Sequence, residues 1–227
     1  TGNGSCVHSH SLPGAARHSR RWHVAGGKSG PSRSAKDGTL SAGSTPRGAD
    51  SFTVDYNLPD ADYFAFWAQP MDAHGLSYTS QTLARPLKLI GFPVVKLAMR
   101  SNKTDANVFA YLDLVSADGK AEVISFGRLA LSHRKQARAP YGTMGLPWHS
   151  GRRADVAPLA PGELAQMDFD LTPISRVVPA GSRLRLTITG ADPRQRNLKQ
   201  IMQTPAPVLT VLRGGNHASV IELPLAD

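Results

Sequence analysis

The chain has 227 residues, of which 41% are apolar, 19% charged and 7% aromatic, with 21 Gly, 17 Pro, one Cys and a formal net charge of +9. That length accommodates one large domain or two small ones, and no apolar run approaches the ~20 residues of a membrane helix, which excludes a helical transmembrane protein. The lone Cys6 excludes an internal disulfide framework and a Cys-rich zinc module, and three glutamates are few for a helical bundle.

Residues 1–50 hold seven Lys/Arg and two Asp, for +5, against +4 over residues 51–227. A surface built throughout for nucleic acid would spread that excess. The same 50 residues include nine Gly, nine Ser and twelve apolar residues, with no period of 2 or 3.6 beyond Trp22-His23-Val24-Ala25. This composition buries too little apolar area to offset the entropy of ordering. It predicts a long, irregular, flexible arm and linker over 1–50, ahead of one domain over 51–227. Starting at Thr1 without a signal-like segment, the chain reads as a fragment or processed product. It is expected to be soluble, the cytoplasm being favoured over other compartments.

The arm holds two fragments of catalytic motifs. Gly27-Lys28-Ser29-Gly30-Pro31 approaches the Gly-x-Ser-x-Gly nucleophile elbow but has Pro in place of the last Gly. As a phosphate loop it lacks the Gly five positions before Gly27, where Trp22 stands. His8 and His10, followed by His18 and His23, have no carboxylate or cysteine partners at metal-ligand spacing. Neither a metal nor a cofactor is expected.

From Ser51 onward period-2 alternation takes over. Strands are predicted at 76–80, 86–91, 95–100, 108–115, 121–131, 165–171, 183–189, 207–212 and 218–225. In the cleanest, Leu184, Leu186 and Ile188 face one way and Arg183, Arg185 and Thr187 the other. Ala117-Asp118-Gly119-Lys120, Pro161-Gly162-Glu163, Pro179-Ala180-Gly181-Ser182 and Arg213-Gly214-Gly215-Asn216 supply turns. Only a short piece near 193–203 suits a helix. The pattern is all-β, two packed antiparallel sheets.

One connection is too long for a hairpin. About 28 residues rich in Pro, Gly and Arg separate Arg134 from Glu163, and loops beyond ~15 residues in a compact domain tend to be functional or disordered. This one holds Tyr141, Trp148 and His149, and His133 faces it from the preceding strand end. Asp168 and Asp170 share a strand face about 7 Å apart, a spacing compatible with a carboxylate pair, but nothing else marks a sugar site. Arg183, Arg185, Arg194 and Arg196 have no interleaved aromatics, which favours a solvated sheet face or a domain interface over nucleic acid.

Several blocks resemble the C-terminal β-sandwich of the X-prolyl dipeptidyl-peptidase and cocaine-esterase (CocE/NonD) hydrolases. They begin with Gly75-Leu76-Ser77-Tyr78-Thr79-Ser80, Gly91-Phe92-Pro93-Val94-Val95, and Thr104-Asp105-Ala106-Asn107 leading into Tyr111-Leu112-Asp113-Leu114. Gly127-Arg128-Leu129 and His133-Arg134 come next. The most specific stretch, 145–192, includes Gly145-Leu146-Pro147-Trp148-His149, Phe169-Asp170-Leu171-Thr172-Pro173-Ile174-Ser175 and Gly190-Ala191-Asp192. Ser182 departs from the histidine usual there, and residues 1–20 show no counterpart.

The resemblance implies a galactose-binding-like jelly roll. It also implies a parent enzyme hydrolysing esters or amides with a Ser-His-Asp triad on an α/β-hydrolase domain. No position here matches a triad residue, so no catalytic residue is expected. The implied role is packing on that catalytic domain, in cis or as a split chain, shaping its active site and supporting a homodimer. Tyr141, Trp148, His149 and His133 are the candidate binding or domain-interface residues. Neither nucleic acid nor membrane is an expected partner. The alternative is a stand-alone carbohydrate- or ligand-binding β-sandwich module.

Overall fold

Alternating apolar positions need a second layer to cover them, and the fold supplies it with strands almost throughout. The computed structural model describes residues 18–61, 67–195 and 197–226. These hold β1 (His18–Ala25), β2 (Lys36–Ser41), β3 (Gly48–Thr53), β4 (Leu76–Ser80), β5 (Leu87–Gly91), β6 (Val94–Ser101) and β7 (Asn107–Val115). There follow β8 (Ala121–Ala130), β9 (Ala165–Asp170), β10 (Ile174–Val178), β11 (Arg183–Thr189), β12 (Val208–Arg213) and β13 (Val220–Ala226). The helical piece expected near 193–203 is a single turn, α1 (Leu198–Ile201).

One layer runs β2-β4-β11-β7-β8, and the other is built on β6, which pairs with β9 along one edge and with β12 and β13 along the other. β3 extends the second layer beside β12, and β10 joins it through β5. β1 pairs with β13 over His18–His23 and then with β2 over His23–Ala25. That hand-over carries the hydrogen bonding round a corner and makes both layers one 13-stranded sheet. All ladders are antiparallel except β2 with β4. Between the layers lie Leu76, Leu112, Leu184 and Leu186 from one side and Val95, Leu97, Met167 and Leu223 from the other, all essentially inaccessible to water.

The structure corrects the reading of residues 1–50 as an irregular arm. Their described part, from His18, contributes β1, β2 and most of β3 to the sheet. The segment is apolar-poor as a whole, but Trp22, Val24 and Leu40 sit at the inward positions and are buried in the main core. Their partners come from β13 and β4, so composition over a 50-residue window could not reveal the pairing. Gly38 answers a packing need on β2: a Cβ there would stand 2.6 Å from the Tyr78 ring and from the Ala25 carbonyl oxygen. β10 is the other strand outside the expectations; its five residues lie between Pro173 and Pro179 and bury only Ile174 and Val178.

Candidate functional site

The long connection is ordered from both ends. Backbone bonds run from Ala157 N to the Ser132 carbonyl (2.8 Å), from Leu159 N to Thr104 (2.8 Å) and from Gly162 N to Ser101 (2.7 Å). Arg134 ties them together, donating to the Leu131 carbonyl at 3.1 Å and the Ala157 carbonyl at 2.5 Å, with Glu163 3.6 Å away. Midway, Ala137 N donates to the Trp148 carbonyl at 3.0 Å, folding the tip back on itself.

This geometry brings Tyr141 and Trp148 together. The indole N–H donates to the Tyr141 hydroxyl at 2.9 Å, and the rings meet edge to face at 84° with centroids 6.4 Å apart. Tyr141 is 64% exposed, and the pair borders an open groove of about 440 Å³ with Arg138, Pro140 and Leu146. Perpendicular rings present an edge and a hydroxyl, not the flat platform on which a sugar ring stacks. His149 anchors the loop to the sandwich: its Nδ1 lies 3.1 Å from the Lys135 carbonyl oxygen and its Nε2 2.8 Å from that of Asp168 on β9. His133 stands apart, sharing no hydrogen bond with these three among the described residues. Its Nδ1 lies 3.4 Å from the Ser132 hydroxyl, and its Nε2 is buried without a partner.

The motif fragments in the first 50 residues have structural work. The Ser29 hydroxyl and amide both donate to the Asp37 carboxylate at 2.7 Å, which closes the β1–β2 turn and occupies the hydroxyl. Pro31 offers its carbonyl oxygen to Arg185. Cys6, His8 and His10 lie outside the described residues, as does Arg196. Among the described residues no three His, Cys, Asp or Glu side chains converge at metal-binding distance. Asp168 and Asp170 do point outward on β9; partial burial raises both carboxyls, and Gln136 donates to Asp168 at 3.3 Å.

The expectation that Arg185 lies on a solvated sheet face or domain interface is overturned: it is 2% exposed. The outer face of β4, β11 and β7 is roofed by residues 67–75 and 30–34, and a charged layer lies beneath. Arg185 reaches Asp72 at 3.2 Å and Thr79 at 3.2 Å, while Arg33 grips the same Asp72 through its backbone N–H and both sides of its guanidinium. These donors hold Asp72 below the usual carboxylate range against its burial. Asp113, directly across the ladder from Arg185, accepts from Thr187 at 3.3 Å with one oxygen and has no partner for the other. Burial pushes it up to about 7, opposed by the charge of Arg185. The sequence signal for this layer was the register of Arg185 and Asp113, opposite charges at outward positions of adjacent strands; the roof over them had no sequence signal.

One histidine–carboxylate pair was also missed: His74 Nδ1 lies 2.7 Å from Asp55 Oδ2. Among the described residues no serine or cysteine hydrogen-bonds to its Nε2, so the pair lacks a nucleophile to activate. The Ser132–His133 contact joins neighbours at 3.4 Å with no carboxylate behind the ring. Nothing in the described residues assembles a nucleophile, base and orienting acid.

Comparison with known proteins gives a consistent picture. A profile of the X-Pro dipeptidyl-peptidase C-terminal non-catalytic domain matches residues 1–222, which brings residues 1–20 inside the match. An inferred serine esterase of Mycobacterium bovis is 37% identical over 156 residues, covering 68% of this chain and 24% of that protein. A solved CocE/NonD family hydrolase from Staphylococcus aureus has a TM-score of 0.68 at 16% identity, over 96% of this chain and 38% of that one. An α-amino acid ester hydrolase has a TM-score of 0.64 at 14% identity, over 91% and 36%. At these identities the two structures establish the fold. The chain spans about a quarter of the length of the curated relative it matches.

Proposed function

This chain belongs to the family of the X-Pro dipeptidyl-peptidase C-terminal non-catalytic domain, and on that premise we propose that it serves a serine hydrolase of the CocE/NonD type as its accessory jelly roll. In this reading it packs on an α/β-hydrolase domain, in cis or as a split chain, and shapes the entrance to the acyl or peptidyl pocket. The parent activity is ester or amide hydrolysis, and the nucleophile, base and oxyanion donors belong to the partner domain. A cytoplasmic, homodimeric parent goes with the same reading.

The observation that carries the proposal is the exposed Tyr141–Trp148 pair on a loop pinned at both ends. Two aromatic rings held by their own hydrogen bond lose little freedom on docking, and apolar ring area gains about 25 cal/mol per Å² when water leaves it. Aromatic residues of this kind anchor interfaces.

Two measurements test it. The chain alone is expected to leave p-nitrophenyl esters and X-Pro-nitroanilides uncleaved; turnover abolished by a serine-directed inhibitor overturns a non-catalytic role. Trp148→Ala and Tyr141→Ala are each expected to weaken binding to the hydrolase portion of the mycobacterial relative about tenfold. Unchanged affinity in both variants removes the loop from the interface.

A further inference from the structure

Two strand edges lie side by side on one flank of the sandwich. Among the described residues β8 ends its layer with a single ladder, to β7, and β9 pairs only with β6. Gly127 permits the approach, since a Cβ there would stand 2.6 Å from the Asp170 carbonyl oxygen. Thr172 bridges the seam: its amide donates to the Phe126 carbonyl at 2.9 Å, and its hydroxyl accepts from the Phe126 amide at 3.2 Å. Beside the seam opens a groove of about 500 Å³ between Phe109, Phe126, Arg128, Asp170, Arg194 and Gln195.

The groove is held in shape before anything enters it. Arg194 lies over the Phe126 ring, 4.3 Å from its centroid. Asp192, 2% exposed, accepts from Arg194 Nε at 2.9 Å and Nη2 at 2.5 Å, and from the Tyr111 hydroxyl at 2.7 Å. Arg194 Nη1 has no hydrogen-bond partner among the described residues. On the far side of Phe126, Trp67 packs edge-on at 5.2 Å, its indole N–H fixed on the Val123 carbonyl at 2.6 Å, and yet 46% of it stays exposed. A buried acid thus orients an arginine, which stacks on one aromatic that braces another.

We propose that this groove, lined by Phe126 and Arg194 and flanked by the exposed Trp67, is a second docking surface for the hydrolase portion carried by longer relatives. It would receive a segment that lays an apolar side chain on the rings and offers a carbonyl or carboxylate oxygen to Arg194. The inference rests on the docking reading above and adds a location to it. Three observations favour that occupant over a small ligand or a second copy. Matched relatives carry about three quarters of their length outside the aligned stretch, so a large partner surface is available. The groove is an open trough along the β8–β9 seam, a shape that suits a protein segment better than the enclosing pocket of a small ligand. β9 also makes it continuous with the loop already assigned: His149 sits on the Asp168 carbonyl, and Asp170, two residues on, lines the groove. Trp and Arg are the side chains that concentrate binding energy at such centres.

The test is biolayer interferometry of this 227-residue chain against the immobilised hydrolase portion of the mycobacterial relative, with melting temperatures as a folding control. Trp67→Ala is expected to weaken binding at least tenfold. Arg128→Glu, an exposed change at the rim that leaves the Asp192–Arg194 pair intact, is expected to weaken it about threefold or more. If both variants bind like the parent chain while Trp148→Ala does not, this second surface is overturned and the docking reading stands. Failure of the unaltered chain to bind overturns both. If light scattering shows a dimer of this chain that both variants dissolve while their affinity for the hydrolase portion is unchanged, the groove belongs to a second copy and the inference falls.

Discussion

Asp113 sits in the middle of β7, fully buried and with one oxygen unpaired among the described residues, and its carboxyl is pushed up to about 7 by burial. An exposed aspartate titrates near 3.8, so between about pH 4 and 7 the folded chain holds a proton that the unfolded chain has released. Folding stability from this group is therefore full below pH 4 and falls as pH rises through 7, by at most about 1.36 kcal/mol per pH unit. Asp113→Asn imitates the protonated form. Its melting temperature relative to the parent is expected to climb from pH 4 to 7 and level off above; a difference independent of pH would show that Asp113 does not titrate there. The neighbouring Arg185 teaches a different lesson. Alternation placed it outward, correctly, but outward meant solvent only if nothing covered β11. The cover comes from residues 67–75, held to the sheet by the Asp72 carboxylate, by the Trp67 indole on the Val123 carbonyl and by Ala68 and Met71 packed against Phe109 and Tyr111.

Nine strands and the helical turn near 193–203 were legible in the sequence, β6, β7, β9 and β11 through alternation and the others as short runs bounded by turn residues. β4 and β11 emerge with the expected bounds, 76–80 and 183–189. β1, β2, β3 and β10 were not legible, each having at most three buried apolar positions and borrowing stability from a partner remote in sequence. The 134–163 connection was legible as an exception, and so was its aromatic content. That Trp148 would donate to Tyr141, and that His149 would clip the loop to β9, depended on a fold-back with no local signal. The groove at Phe126 and Arg194 was not seen at all, since it joins residues from β7, β8, the 170–172 segment and the 192–195 turn. Trp22 gives the test at this scale. Buried to 6% exposure between β13 and β2, it is expected to cost about 3–5 kcal/mol when changed to Ala, read from urea denaturation. An irregular arm would lose nothing.

Taken as a whole, the molecule pairs part of the basic excess of its first 50 residues with acids elsewhere in the fold. Arg21 pairs with Glu222 at 2.7 Å and Arg33 with Asp72 at 2.8 Å, so two cations of the first 50 residues bind the sheet. A chain lacking residues 1–50 is accordingly expected to lose its cooperative thermal transition by circular dichroism; retention of a sharp transition would make that segment dispensable. β13 has a consequence of another kind. It hydrogen-bonds to β1, β5 and β6, and the Arg21–Glu222 bond joins residues 201 positions apart. At ~5–20 residues per second of ribosomal synthesis, roughly 10–40 s pass between the birth of Arg21 and that of Glu222. Throughout that interval Trp22 and Val24 have left the ribosome without the strand that covers them. Docking of β1 therefore waits for the end of the chain, and the two layers are joined only after β13 has emerged.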